Sequence, residues 1–174
     1  AKTFNWRQNV VYIAFVVVVI VFSILLSDSG FLKVSNILNI VRQTSIISII
    51  AIAMTFVICA GELDLSVGAL VGLTSLTCAM ALSAGYGILG ALGAGLGTGA
   101  LFGLANGLLV SRLSIPSFIV TIGTSSVANG VAMWITGSAP VPIDNEAYLF
   151  AFGTGDIGGA VPVLLIWLVA AAVI

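Results

Sequence analysis

Nothing confines the fold of this chain more tightly than the recurrence of stretches of roughly 17 to 25 residues almost without charge. A hydrocarbon core of about 30 Å calls for helices of about that length. Open sheet edges would leave backbone groups unpaired in lipid, so spanning segments are helices or closed barrels. A barrel would show strands of about 10 residues alternating apolar and polar, whereas the runs here are apolar on every face. Only 6% of the 174 residues are charged, against about 25% for a soluble domain. The expected class is all-α, a polytopic transmembrane helical bundle forming a single domain over 1–174.

The same composition removes several functions. The formal net charge is −1 and histidine is absent, which leaves no basic surface for nucleic acid and no imidazole for a metal or a proton relay. No nucleophile–base pair, metal cluster or cofactor motif is present. The glycine-rich tract lacks the GK[ST] ending of a nucleotide loop, so the chain reads as no enzyme, and any ATP used is bound by a partner. Cys59 and Cys78 lie inside apolar runs and read as small buried side chains.

Lys2 and Arg7 precede the first apolar run and Asp28 follows it. The run is too long for a signal peptide and lacks a cleavage pattern, so it reads as a retained span over 9–27 with a cytoplasmic N-terminus. Over 34–43, Val34, Ile37, Leu38 and Val41 fall at helical spacing with Lys33, Asn36, Asn39, Arg42 and Gln43 opposite. This predicts a separate amphipathic helix on the outer leaflet. Its cations Lys33 and Arg42 are on the unfavoured side of the membrane. Further spans are expected at 44–60, 67–83, 88–110, ending near an inward Arg112, and 116–137, with Pro116 in a first turn. Residues 138–159 carry three carboxylates and no cation, and read as an external loop. A sixth span starts at 161 and has no terminating signal, so the chain is expected to be an N-terminal portion.

Gly95, Gly99, Gly103 and Gly107 recur every fourth residue, continuing a row from Gly87 and Ala91. In lipid, helices associate by close backbone approach, which small residues permit. The row drifts about 40° per step, predicting a central helix contacted on all sides. Glu62 and Asp64 interrupt some forty apolar residues, and an ionisable group between spans marks function by default. Asp64 also stands where an N-cap belongs. Glu62 is open to two roles, lining a pathway or sitting in interfacial water. Asn106, Thr121, Thr124, Ser125, Ser126 and Asn129 suit either interhelical hydrogen bonding or a polar pathway.

Three segments, GELDLSVG at 61–68, NGLLVSRLSIPSFIVTIGT at 106–124 and NILNIVRQTSIISIIAIAMTFVI at 36–58, together resemble the permease subunits of bacterial ABC importers for ribose, xylose, galactose and related solutes. The resemblance implies the type II, vitamin B12-permease-like fold in the bacterial inner membrane. Its implied partners are a second permease copy, cytoplasmic ATP-binding subunits and a periplasmic or tethered solute-binding protein, with no cofactor on this chain. It marks Glu62, Asp64, Ser66, Gly68, Pro116, Ser117, Thr121 and Gly123 as hallmark positions. Two other readings stand beside it: a channel or secondary transporter needing no ATPase, and an assembly subunit with no pathway.

Overall fold

A computed structural model describes residues 6–173, with side chains from residue 9 onward. The side chains of Lys2 and Arg7, on which the expected orientation rests, lie outside that range, as does Ile174. Seven helices are described: α1 (Trp6–Leu25), α2 (Val34–Cys59), α3 (Val67–Ser83), α4 (Gly87–Leu113), α5 (Ser117–Thr136), α6 (Glu146–Phe152) and α7 (Val163–Val173). A two-residue ladder, β1 (Asp156–Ile157) with β2 (Val161–Pro162), precedes α7. The protein is all-α apart from that ladder.

Exposure is inverted relative to a water-soluble protein. Val11, Tyr12, Phe15, Phe56, Leu89, Leu96, Leu101 and Trp134 are all more than 65% exposed, while the buried set includes Ser45, Ser66, Asn106, Thr121, Ala79, Ala91 and Ala128. Small and hydroxylated groups inside with large apolar ones outside is the arrangement that lipid selects, because close backbone approach and interhelical hydrogen bonds replace the hydrophobic effect between helices. Helices α2, α4 and α5 are each long and apolar enough to cross a bilayer; α3, α7 and residues 9–25 of α1 are shorter apolar helices.

Among the described residues α4 packs most extensively on α3 and less on α5, α3 also packs on α5, and α2 packs on α7. The α3–α4 contact is close: Cys78 Sγ donates to Ala91 O at 3.2 Å and Thr98 Oγ1 to Thr77 Oγ1 at 3.2 Å. Helix α4 is therefore contacted on one side by α3 and α5 and is open on the other, where Leu89, Leu96, Leu101 and Leu104 are exposed. The expected all-round contact is not made among the described residues.

Three segments differ from the sequence expectation. Residues 34–43 are not a separate surface helix: α2 runs unbroken from Val34 to Cys59, since no glycine or proline interrupts it. At 26 residues it is about 39 Å long, which clears the hydrocarbon and carries its polar first turns beyond it. The loop 138–159 is ordered. Asn145 caps α6 by accepting from Tyr148 N at 2.9 Å, and Phe152 stacks on Trp167 of α7 at 5.3 Å between ring centroids. Tyr148 reaches toward α3, where burial first and the Cys78 thiol second push its phenol up to about 12. The sixth helix begins at Val163 rather than 161, because Val161 and Pro162 are held in the ladder, closed by Gly158 and Gly159 at φ +64° and +70°.

That ladder carries an ion pair. Arg42 of α2 bonds Asp156 of β1, both side chains about four-fifths buried, and donates to Asn39 Oδ1 at 2.6 Å. The cation that stood on the unfavoured side of the membrane is thus neutralised by the acidic loop. The pair also brings the start of α2 and the segment before α7 to one end of the bundle. Pro142, Asp144 and Asn145 line a cleft with Leu82 and Ser83 at the end of α3, the same end. Helix ends therefore alternate from α2 to α7. Asp156→Ala leaves a buried guanidinium without its partner and is expected to lower stability by about 1–3 kcal/mol. Thermal melting in detergent would check this, with Arg42→Ala/Asp156→Ala costing less than the sum of the single changes.

Candidate functional site

Helix α2 ends in a Schellman turn. Gly61 at φ +80° donates to Ile58 O at 2.9 Å and Glu62 N to Val57 O at 3.1 Å, the pattern a left-handed residue after a helix C-cap supports. The chain does not re-enter a helix at once. Residues 62–66 are irregular, and α3 starts only at Val67.

Helix α3 has 17 residues and α4 has 27, a difference of about 15 Å in length. Asn106 Nδ2 donates to Ser66 Oγ at 3.3 Å, so α3 starts level with Asn106 while α4 continues to Leu113. The irregular residues fill that remaining height, at about 3.3 Å each if extended. The third span is thus discontinuous: it is helix over Val67–Ser83 and irregular over 62–66, where it is bonded to α4 and α5.

Irregular backbone within a bilayer needs partners from protein, and α5 supplies them. Leu63 N donates to Ser117 Oγ at 3.1 Å and Leu65 N to Thr121 Oγ1 at 3.1 Å. Alternate amides of an extended chain are about 6.6 Å apart, and residues four apart on a helix about 6 Å. The spacing of Ser117 and Thr121 therefore matches every second amide of the extended segment. Thr121 is 3% exposed and its hydroxyl donates to Ser117 O at 2.9 Å.

Asp64 Oδ1 accepts from Ser66 N at 2.8 Å and from Ser66 Oγ at 2.6 Å. It was expected at the N-cap, but Ser66 occupies that position. By bonding the amide two residues on, Asp64 makes an Asx turn that holds the chain out of helix until Val67. Asn106, Ser66 and Asp64 form one buried hydrogen-bonded chain, and Asn106 Oδ1 is left buried without a partner.

Beside this segment lies a cavity of about 530 Å³, lined by Val57, Ala60, Glu62, Leu63, Asp64, Gly103, Asn106, Gly107, Val110, Ser111, Ser117 and Thr121. Glu62, Asp64, Asn106, Ser117 and Thr121, singled out in the sequence, converge here, with Ser66 behind them and Pro116 at the N-cap of α5. Gly68, Gly123 and Asn129 are exposed elsewhere. Thr124 Oγ1 and Ser126 Oγ bond carbonyls of their own helix rather than a neighbour. The glycine row divides. A Cβ on Gly95 would meet Cys78 Sγ at 2.5 Å, on Gly99 it would make ordinary contact with Thr74, and on Gly103 or Gly107 it would meet nothing within 4 Å. Close approach to α3 is thus confined to the upstream glycines, and the downstream pair faces the cavity. Ser111 was not singled out, although it continues the same four-residue row.

The family described as the permease component of the branched-chain amino acid transport system matches residues 36–174, which include the whole discontinuous span and its cavity. The chain belongs to this permease family. It is 35% identical to the ribose import permease protein of Haemophilus influenzae over 151 residues, 85% of this chain and 46% of that one. The xylose transport system permease protein of the same organism is 35% identical over 163 residues, 92% and 43% of the two chains. The ribose import permease protein of Bacillus subtilis is 38% identical over 164 residues, 94% and 50%. The permease chain described here spans about half the length of these curated relatives. No solved structure matches it. Family membership and the three long apolar helices make it a multi-pass membrane protein, and its two hallmark motifs, GELDLSVG and PSFIVTIGT, are the two faces of one contact.

Proposed function

We propose that this permease acts as the transmembrane subunit of an ABC importer and carries a small solute, a monosaccharide, across the bacterial inner membrane. The observation that carries this reading is the cavity beside the discontinuous third span, largely apolar in its walls with Glu62, Asp64, Asn106, Ser117 and Thr121 set into them. Half-helices beside irregular backbone are how transporters present polar groups at membrane depth. The ribose and xylose permeases among its relatives supply the solute class.

The N-terminus lies in the cytoplasm. With Arg42 neutralised by Asp156, Lys33 is the one cation left unpaired at the end shared by the acidic loop among the described residues, and Arg112 lies at the opposite end, as the positive-inside bias favours. The cavity, at the Arg112 end, then faces the cytoplasm. A second permease copy covers the open face of α4, cytoplasmic ATP-binding subunits supply the energy, and a periplasmic or tethered binding protein delivers solute.

Reconstituting the full-length protein with its ATP-binding and solute-binding partners in vesicles tests this. ATP-dependent uptake of labelled ribose or xylose is the expected result. Uptake that persists without ATP would point to a secondary transporter, and absence of uptake for every monosaccharide offered would remove the reading.

A further inference from the structure

The polar lining of the cavity is one-sided. Among the described residues its charged groups are two carboxylates, Glu62 and Asp64, with neither lysine nor arginine contributing. Asp64 is engaged by Ser66, whereas Glu62 makes no side-chain hydrogen bond or ion pair among the described residues. Independently of the carboxylates, Asn106 is 93% buried and contributes to the lining, and its amide donates to Ser66 while its oxygen has no partner. The amides of Leu63 and Leu65 are already engaged by Ser117 and Thr121. Among the described residues the charge of the lining is therefore negative throughout, and its remaining polar groups are neutral hydroxyls and an amide.

We infer that this cavity is an electrostatic filter at the cytoplasmic end of the solute route: it admits neutral or cationic solutes and rejects anions. Glu62 supplies the rejecting charge, and the hydroxyls of Ser111 and Ser117 can meet a neutral solute. The inference rests on the cavity being part of the route. It adds a chemical direction to that reading, since an imported sugar that is later phosphorylated could not leave by the same path. A carboxylate bordering a groove in protein is screened less than one in bulk water.

The test separates the filter from the route. In the full-length protein with its partners, Cys59, which is exposed, is replaced by serine and Ser111 by cysteine. Rates of modification by a cationic and an anionic methanethiosulfonate are then compared with those of a free thiol and of the protein lacking the added cysteine. The expected result is a preference for the cation of about tenfold over the free thiol. It should be largely lost in Glu62→Gln, retained in Glu62→Asp, and weakened between ~0.01 M and ~1 M salt in the unchanged cavity, where the Debye length falls from ~30 to ~3 Å. Equal labelling by both reagents, or a preference that Glu62→Gln and salt leave unaltered, overturns the filter while the route stands. A cysteine at 111 that no reagent reaches in uptake-competent protein overturns the route and the filter with it.

Discussion

Leucine at position 103 is expected to bring solute uptake to near background in a protein that folds and assembles normally, whereas leucine at position 95 is expected to damage the fold itself. The two glycines belong to one row of small residues, eight positions apart on α4. At Gly95 an added Cβ already lies 2.5 Å from Cys78 Sγ, and that thiol is fixed by its bond to Ala91 O. Leucine adds three more carbons to a contact that has no room for the first. Overpacking of this kind costs about 1–3 kcal/mol or more, and here it would push α3 away from α4. At Gly103 nothing stands within 4 Å, so leucine fills cavity instead of displacing a helix. Melting temperature and folded yield in detergent, measured beside uptake in vesicles, should therefore separate the variants: low stability for Gly95→Leu, near-native stability with lost transport for Gly103→Leu. Two variants with equal melting temperatures would show that the row has one role along its length.

The second large effect is expected at Thr121. Valine has almost the same shape but cannot accept the Leu65 N–H, and Thr121 is nine-tenths buried or more. The Leu65–Thr121 bond is part-buried, and a fully buried donor left without its partner costs about 1–3 kcal/mol, which sets the upper bound here. Thr121→Val should lower the melting temperature and reduce uptake by loosening residues 62–66, while Thr121→Ser, which keeps the hydroxyl, should restore most of both. Ser117→Ala should act in the same direction more weakly, since the Leu63–Ser117 bond is exposed whereas the Leu65–Thr121 bond is part-buried. Wild-type uptake in the valine variant would mean that these hydroxyls do not hold the segment in place.

Much of this was legible in the sequence for local reasons. The third helix was expected over 67–83 and occupies Val67–Ser83, although the cap expected of Asp64 falls to Ser66. The approach of α3 to α4 could be read from small residues at four-residue spacing. What no local pattern reveals is which neighbour stands opposite each small residue, so Gly103 and Gly107 looked like Gly95. Residues 34–43 carry a convincing amphipathic pattern, yet that pattern says nothing about whether a helix continues past its polar face, and α2 does. Arg42 and Asp156 are 114 positions apart, and only the tertiary fold could pair them. Asp64 was rightly expected to bind a backbone amide, but its short side chain reaches the amide two residues on as readily as the helical positions, and the Asx turn prevailed. Resemblance identified GELDLSVG and PSFIVTIGT separately; that they hold each other is a matter of distance, since an extended segment and a helix happen to agree in spacing at two and four residues.

The irregular end of the third span has a mechanical meaning. A helix resists bending because each turn is tied to the next, but residues 62–66 are tied chiefly to α5 and to Asn106. The span is therefore stiff along Val67–Ser83 and compliant where it borders the cavity, and its compliant part moves with whatever moves α5. A shift of α5 by an ångström would reach Glu62 and Asp64 through Ser117 and Thr121, and α3 along its own packing with α5.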